Sequence, residues 1–303
     1  MTTQLHTKIQ RLKTEKNAMI LAHLYQDLAV QALADVVGDS FEMARQAALS
    51  TADILVVCGV TFMAESAKIL SPDKTVLLPR HDAGCIMADM ITPSDVIALR
   101  EKHPGAAVMC YVNTSAAVKA VCDVCCTSSS AVKIARSLDA ETIIFVPDRN
   151  LGGYVAAQVP EKNFVFFDGC CPIHDDITLE TTNAIRARYP DAVLLAHPEC
   201  KPEVAAAADY VGSTSQMIQR VLDGKEQTYI VGTEVTIAEL LRERAPEKTI
   251  YPLSTMMVCS NMRKTSPEDV FHALQNDVYP VTLSEEELTA ARTSLEKMIA
   301  LGK

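Results

Sequence analysis

Three cysteines divide this chain at near-equal lengths. Cys85, Cys171 and Cys259 stand 86 and 88 residues apart, and each closes the same succession of features. A helix-like stretch leads into a short apolar run at 18–22, 106–110 and 192–196. Each run ends on chemically capable groups: His23-Leu24-Tyr25, Tyr111-Val112-Asn113 and His197-Pro198-Glu199. Apolar runs of this length fit strands buried on both faces of a parallel sheet. Seventeen residues beyond His23, Tyr111 and His197 come Ser40, Ser128 and Thr214. They lie in the hydroxyl clusters Gly38-Asp39-Ser40, Thr127-Ser128-Ser129 and Gly212-Ser213-Thr214. Further strand-like runs follow at 54–57, 142–146 and 228–231, then at 75–78, 164–167 and 249–253. The last set leads to the three cysteines, and after each cysteine the pattern predicts a helix, at 93–102, 179–188 and 267–275.

A unit repeated three times in register constrains the fold more than any one motif does. Alternating strands and helices predict an α/β protein of three parallel-sheet units. The first unit is expected over 1–86, with the C-terminal segment 268–303 returning to it. The second is expected over 87–172 and the third over 173–267. The closing helix at 284–301 has no counterpart in the repeat, and is expected to pack on the first unit beside the N-terminal helix at 5–15.

Composition narrows the class. The net charge is −10 with both signs mixed along the chain, which disfavours nucleic acid or an anionic membrane as partner. No apolar run reaches the ~18 residues of a membrane span, and the first residues lack a basic-then-apolar leader, so a cytoplasmic location is expected. Ten cysteines in such a chain fit reduced thiols or metal ligands better than a disulfide framework.

In open parallel α/β sheets, ligands bind beyond the carboxyl ends of the strands. His23, Tyr25, Tyr111, Asn113, His197 and Glu199 occupy that location in the three units. If the units close around a common axis, these side chains and Cys85, Cys171 and Cys259 face one cavity. Three thiolates on a four-iron cluster leave one iron without a protein ligand, and such an open site polarises a bound oxygen. Glu199 is the candidate general base, and Tyr25 and Tyr111 are candidates to move protons or orient a carbonyl. Each has a plainer alternative in a satisfied core histidine, a surface carboxylate or a core phenol. The hydroxyls of Ser40, Ser128, Ser213 and Thr214 suit both helix capping and anion binding. Cys122, Cys125 and Cys126 resemble a metal motif but lack a second pair at zinc or ferredoxin spacing, so packing is the reading for that helix-like stretch. Cys58, Cys110 and Cys200 read as structural.

The fragments Ala22-His23-Leu24-Tyr25-Gln26, Gly84-Cys85-Ile86-Met87-Ala88-Asp89-Met90, Tyr111-Val112-Asn113-Thr114-Ser115, His197-Pro198-Glu199-Cys200 and Cys259-Ser260-Asn261-Met262-Arg263 resemble the quinolinate synthase family over nearly the whole chain. The resemblance implies three Rossmann-like units with pseudo-threefold symmetry around a central [4Fe–4S] cluster. It implies Cys85, Cys171 and Cys259 as cluster ligands; in the family pattern Gly-x-Cys-x-x-His the second of the adjacent pair, Cys171 rather than Cys170, is the ligand. His174 then falls beside the cluster. The implied activity condenses iminoaspartate with dihydroxyacetone phosphate to quinolinate in NAD biosynthesis, with possible coupling to an iminoaspartate-producing enzyme. Substrate contacts are implied for His23, Tyr25, Ser40, Tyr111, Asn113, Ser128, His197, Glu199, Ser213 and Thr214. The chain departs from the family pattern at Leu24, Phe167 and Ser130, and Met256 and Met262 stand where some members carry a redox-active cysteine pair. Two other classes compete. One is an iron–sulfur redox or small-molecule sensor without turnover, and the other a cluster-free sugar-phosphate isomerase or aldolase.

Overall fold

The computed structural model describes residues 3–302. Its three sheets share one topology. In the first, α1 (Thr3–Glu15) leads to β1 (Ala18–His23), α2 (Leu28–Gln31), β2 (Val36–Gly38), α3 (Ser40–Leu49), β3 (Ile54–Cys58), α4 (Thr61–Leu70) and β4 (Thr75–Leu77). The second comprises α5 (Pro93–Lys102), β5 (Ala107–Tyr111), α6 (Ala116–Ala120), β6 (Val124–Cys126), α7 (Ala131–Ser137), β7 (Thr142–Val146), α8 (Arg149–Gln158) and β8 (Asn163–Phe166). The third begins with α9 (Pro172–Asp175), α10 (Leu179–Arg188), β9 (Val193–Ala196), α11 (Pro202–Ala207) and β10 (Tyr210–Val211). It continues through α12 (Thr214–Asp223), β11 (Thr228–Gly232), α13 (Thr236–Arg244) and β12 (Thr249–Pro252). The chain closes with α14 (Pro267–Asn276) and α15 (Glu285–Leu301).

The strand orders are β2-β1-β3-β4, β6-β5-β7-β8 and β10-β9-β11-β12, and every pairing is parallel. Each unit has four strands where the apolar pattern predicts three. The extra ones (β2, β6 and β10) are two or three residues long, too short for a period to show. One of them corrects a sequence expectation: Cys125 and Cys126 lie on β6 rather than in a helix. The strand order reverses between the first and third strands of each unit, and that point is where α/β sheets open a crevice.

Side chains repeat with the topology. Asp35, Asp123 and Asp209 each stand just before the second strand and accept the N–H of Ile20, Val108 and Leu194 in the first strand, at 2.7–2.8 Å. Lys74, Lys162 and Lys248 each reach back to a loop carbonyl, that of Ala52, Ala140 and Gly224. The helix after each spaced cysteine starts on a hydroxyl N-cap, Thr92, Thr178 or Ser266. Each cap lies seven residues beyond its cysteine. The turn bearing the sulfur is therefore pinned between a strand end and a capped helix in all three units.

Packing of the C-terminal segment differs in part from expectation. Helix α14 lies against α1 and β3. Helix α15 instead wedges between the units, on α6 and β6 of the second and α4 of the first. Its buried face, Leu288, Ala291, Leu295 and Met298, joins a core that runs unbroken through the first two sheets. The third sheet has separate apolar clusters, and Leu24 from the first unit plugs into one of them beside Leu195 and Met217. An apolar residue at 24 is thus used as an inter-unit packing contact.

Candidate active site

The carboxyl ends of the strands open onto one cavity of about 900 Å³ including its mouth. The first strand of each unit delivers a pair: His23 and Tyr25 around the end of β1, Tyr111 and Asn113 around the end of β5, His197 and Glu199 after β9. Ser40, Ser128 and Thr214 also line the cavity, as do Cys85, Cys171 and Cys259. Ser213 does not; its hydroxyl caps α12 by accepting the Gln216 N–H, while Gln216 returns a bond to the Ser213 amide.

Glu199 is the electrostatic centre. It is buried and accepts the Tyr111 phenol at 2.5 Å on Oε1. Its Oε2 meets His174 Nδ1 at 2.9 Å, and His197 Nδ1 stands 3.9 Å from Oε1. Burial by itself would raise this carboxyl, but His174, His197 and Tyr111 hold it below the ordinary carboxylate range. Tyr25 and Tyr111 are pushed well above the ordinary phenol value, chiefly by burial and then by the Glu199 charge. Burial drives His23 down to about 3 and His197 to about 4, against the pull of Glu199. These shifts favour an ionised Glu199, protonated Tyr25 and Tyr111 and uncharged His23 and His197 near neutral pH.

Each of the three cysteines is followed by a tight turn whose amides face its sulfur. The thiol of Cys85 lies before the N–H groups of Met87 and Ala88, that of Cys259 before those of Asn261 and Met262, and that of Cys171 before that of His174. Desolvation nevertheless raises all three thiols, Cys85 to about 12; the nearby Cys259 adds to the rise of Cys85, and Glu199 and Cys85 add to that of Cys171. Amides aimed at a sulfur favour thiolate, the form that binds metal. Cys171 Sγ, a His174 ring nitrogen and a Glu199 oxygen also lie within 4.8 Å of one another, a group able to hold a metal ion. Asn113 lines the cavity and has a buried side-chain oxygen with no hydrogen-bond partner. Three sulfurs from three units line the same cavity, beside a cysteine–histidine–glutamate group able to hold a metal ion.

Sequence reasoning missed the ends of the third strands. Glu234, just past β11, lines the cavity, accepts Arg263 Nε at 3.2 Å and faces the Cys259 amide at 3.4 Å. Asp148, just past β7, is fully buried and caps α8 through the amides of Asn150 and Leu151. Thr233 binds both Tyr25 and His174. The signal was available: the strand-end rule applied to the first strand of each unit holds for the third strand in the same register.

Comparison with known proteins agrees with this architecture. The family profile described as quinolinate synthetase A protein matches residues 7–300. A protein of Caldicellulosiruptor saccharolyticus named quinolinate synthase is 49% identical over 295 residues, covering 97% of each chain. One of Alkaliphilus metalliredigens with the same name is 46% identical over 99% of each chain, and one of Geobacter metallireducens 48% identical over 98% of this chain and 97% of its own. The extent and depth of these matches mean that the chain belongs to the quinolinate synthetase A family.

Proposed function

We propose that this protein is a quinolinate synthase, condensing iminoaspartate with dihydroxyacetone phosphate and releasing phosphate and water. The observation that carries the reading is the convergence of Cys85, Cys171 and Cys259 from three units on a cavity that also holds Glu199 and two phenols. The cysteines would hold a [4Fe–4S] cluster, which when bound supplies an iron free of protein ligands as a Lewis acid.

The chain's own side chains supply proton transfer and anchoring. Glu199 is ionised and within hydrogen-bond reach of Tyr111, so it removes a proton next to a carbonyl or imine and returns it when water leaves. Tyr111 and Tyr25, with their protons firmly held, donate to or orient substrate oxygens. His23 and His197 are uncharged and bind polar substrate groups without repelling the irons. Ser40 and Thr214 open α3 and α12, where free backbone N–H groups favour phosphate or carboxylate. The unpartnered oxygen of Asn113 accepts a substrate N–H or O–H. This is how a chain of net charge −10 receives acidic substrates: through local dipoles and donors rather than net charge.

The acid–base set argues against a sensor, which needs no such groups. Among the described residues no helix is long and apolar enough to cross a membrane, and we infer a small-molecule enzyme of the cytoplasm, its imine supplied by an iminoaspartate-producing enzyme. The test is anaerobic purification, iron and sulfide analysis, and assay with the two substrates. About four irons per chain and quinolinate formation support the reading. Iron without turnover would leave the sensor, and turnover by iron-free protein would remove the cluster from the reaction.

A further inference from the structure

The turns that carry Cys171 and Cys259 are each tied to the end of a third strand by a charge pair, and the two pairs run in opposite directions. In all three units the third amide past that strand donates to the carbonyl two residues before the spaced cysteine. The bonds are Thr61 to Ala83 at 2.8 Å, Arg149 to Gly169 at 2.8 Å and Val235 to Met257 at 2.9 Å. The amide four residues after each cysteine, from Asp89, Asp175 or Arg263, returns to that cysteine's carbonyl. These shared bonds put the three joints in register. In the third unit the buried Glu234 accepts Arg263 Nε at 3.2 Å and the Cys259 N–H at 3.4 Å on Oε1, and the Thr236 N–H at 2.8 Å on Oε2. Arg263 also donates to Thr236 Oγ1 at 2.8 Å. In the second unit the charges are exchanged. Arg149, at the strand end, meets both carboxylate oxygens of Asp175 in the cysteine turn at 3.1 and 3.2 Å, and Asn150 adds a bond of 2.8 Å. The preceding Asp148 is fully buried and faces the Cys171 amide. The first unit has Val60, Thr61 and Asp89 at the matching places. Its charge pairs, Asp82 with Arg80 and with Lys264, are half-exposed, where water and salt screen them.

We propose that Glu234 with Arg263, and Arg149 with Asp175, are positioning residues that fasten the turns of Cys259 and Cys171 to their sheets and so fix where those two sulfurs stand. For its purpose this rests on the quinolinate synthase reading of the same cavity, in which the sulfurs hold a cluster; the fastening itself does not. The anion lies on the strand side in one unit and on the turn side in the other. What the two joints share is therefore a pair at one place, not the chemistry of one residue. Each pair spans from the strand end to the fourth residue past its cysteine, so the sulfur lies inside a closed loop of hydrogen bonds. Charge-assisted bonds to a sheltered carboxylate resist fraying where neutral or screened ones yield. The Cys85 turn lacks such a pair, which leaves its sulfur the least constrained of the three. A cavity that must accept a cluster and then hold it gains from two fixed sulfurs and a third that can adjust.

The test follows each thiol separately. Metal-free wild type, Arg263→Met, Arg263→Lys and Arg149→Met are alkylated with iodoacetamide, and the rate at each cysteine is read by peptide mass spectrometry. Expected in Arg263→Met is a rate at Cys259 higher by about 10-fold, the opening that loss of one charge-assisted hydrogen bond allows, with Cys85 and Cys171 unchanged. Arg149→Met does the same at Cys171 and spares Cys259. Arg263→Lys, which keeps the charge, restores most of the protection. The enclosed Cys110 and Cys125 report the fold and should stay unreacted in every variant. An unchanged rate at Cys259 in Arg263→Met, a rise at all three cavity thiols together, or failure of lysine to restore protection overturns the proposal. Should Cys110 and Cys125 react in Arg263→Met, Glu234→Gln, which keeps the shape and drops the charge, takes its place under the same criteria. In protein purified anaerobically with iron, a chelator should strip Arg263→Met about 10-fold faster than wild type, as partners of metal ligands are worth at least that much. If wild type binds no iron, the cluster reading falls, while the alkylation rates still decide whether the pairs hold the turns.

Discussion

The protein holds two kinds of cysteine, and their surroundings differ more than their spacing suggests. Cys110 and Cys125 sit opposite each other on adjacent strands, their sulfurs 3.4 Å apart, both fully buried and turned away from the cavity lining, with Cys125 donating to Ser294 Oγ. Cys58 and Cys126 are buried in sheets in the same way, and burial alone lifts Cys58 to about 12. Cys85, Cys171 and Cys259 are partly exposed to a shared cavity and have turn amides pointing at their sulfurs. In the Cys-x-x-Cys-Cys stretch, which looks the more like a metal motif, Cys125 and Cys126 are enclosed in a sheet, whereas the cysteines spaced far apart line one cavity. A sulfur becomes a ligand because donors and an open side surround it, whereas a thiol enclosed in a sheet behaves as a small apolar side chain.

The largest effect that would break this contrast is the loss of iron. Cys171→Ala should abolish cluster binding and turnover, whereas Cys125→Ala should keep full iron and activity and cost about 1–3 kcal/mol of stability as a core truncation. Iron and sulfide analysis with a denaturation curve measures both, and equal iron loss in the two variants would erase the distinction. Next in size is Glu199→Gln, which keeps the shape of the site and removes the base. Turnover should fall by about 10²–10⁴-fold with iron retained.

A third expectation concerns the imidazoles. His23 and His197 have folded values of about 3 and 4 against an ordinary 6.5, so the unfolded chain binds more protons than the folded one in between. Stability is then fully present above pH 6.5 and declines as pH falls toward 4 and 3, by about 1.4 kcal/mol per unit for each ring. Urea denaturation of metal-free protein from pH 7 to 5 measures the slope, and His197→Gln should flatten it. The smallest effect belongs to Ser213. As a helix cap outside the cavity, Ser213→Ala should lower stability by about 1 kcal/mol and leave KM unaltered. A raised KM would place that hydroxyl back among the substrate contacts.

Much of the fold was legible because the repeat supplied three readings of one unit. The helices Pro93–Lys102 and Leu179–Arg188 fall at the predicted residues, since a hydroxyl N-cap starts each and apolar strands flank them. The strands β2, β6 and β10 were invisible because two or three residues carry no period. Helix α15 was recognised as a helix, but its seat between two units was not, because an apolar stripe states that a face is covered without stating by what. Thr233 and Glu234 escaped because a threonine and a glutamate after an apolar strand read as an ordinary helix start.

The sequence determined the repeated parallel unit, the strand-end residues and the three spaced cysteines, because periodicity and position along a strand are local properties of the chain. The tertiary structure alone decided which strand ends share a cavity, that Ser213 turns away while Thr214 turns in, and that Tyr25 and Glu199 are joined through Thr233 and His174. Those outcomes depend on how three sheets are placed against one another. Contacts between residues some 200 positions apart, such as Tyr25 with Thr233, exist only once that packing has been made.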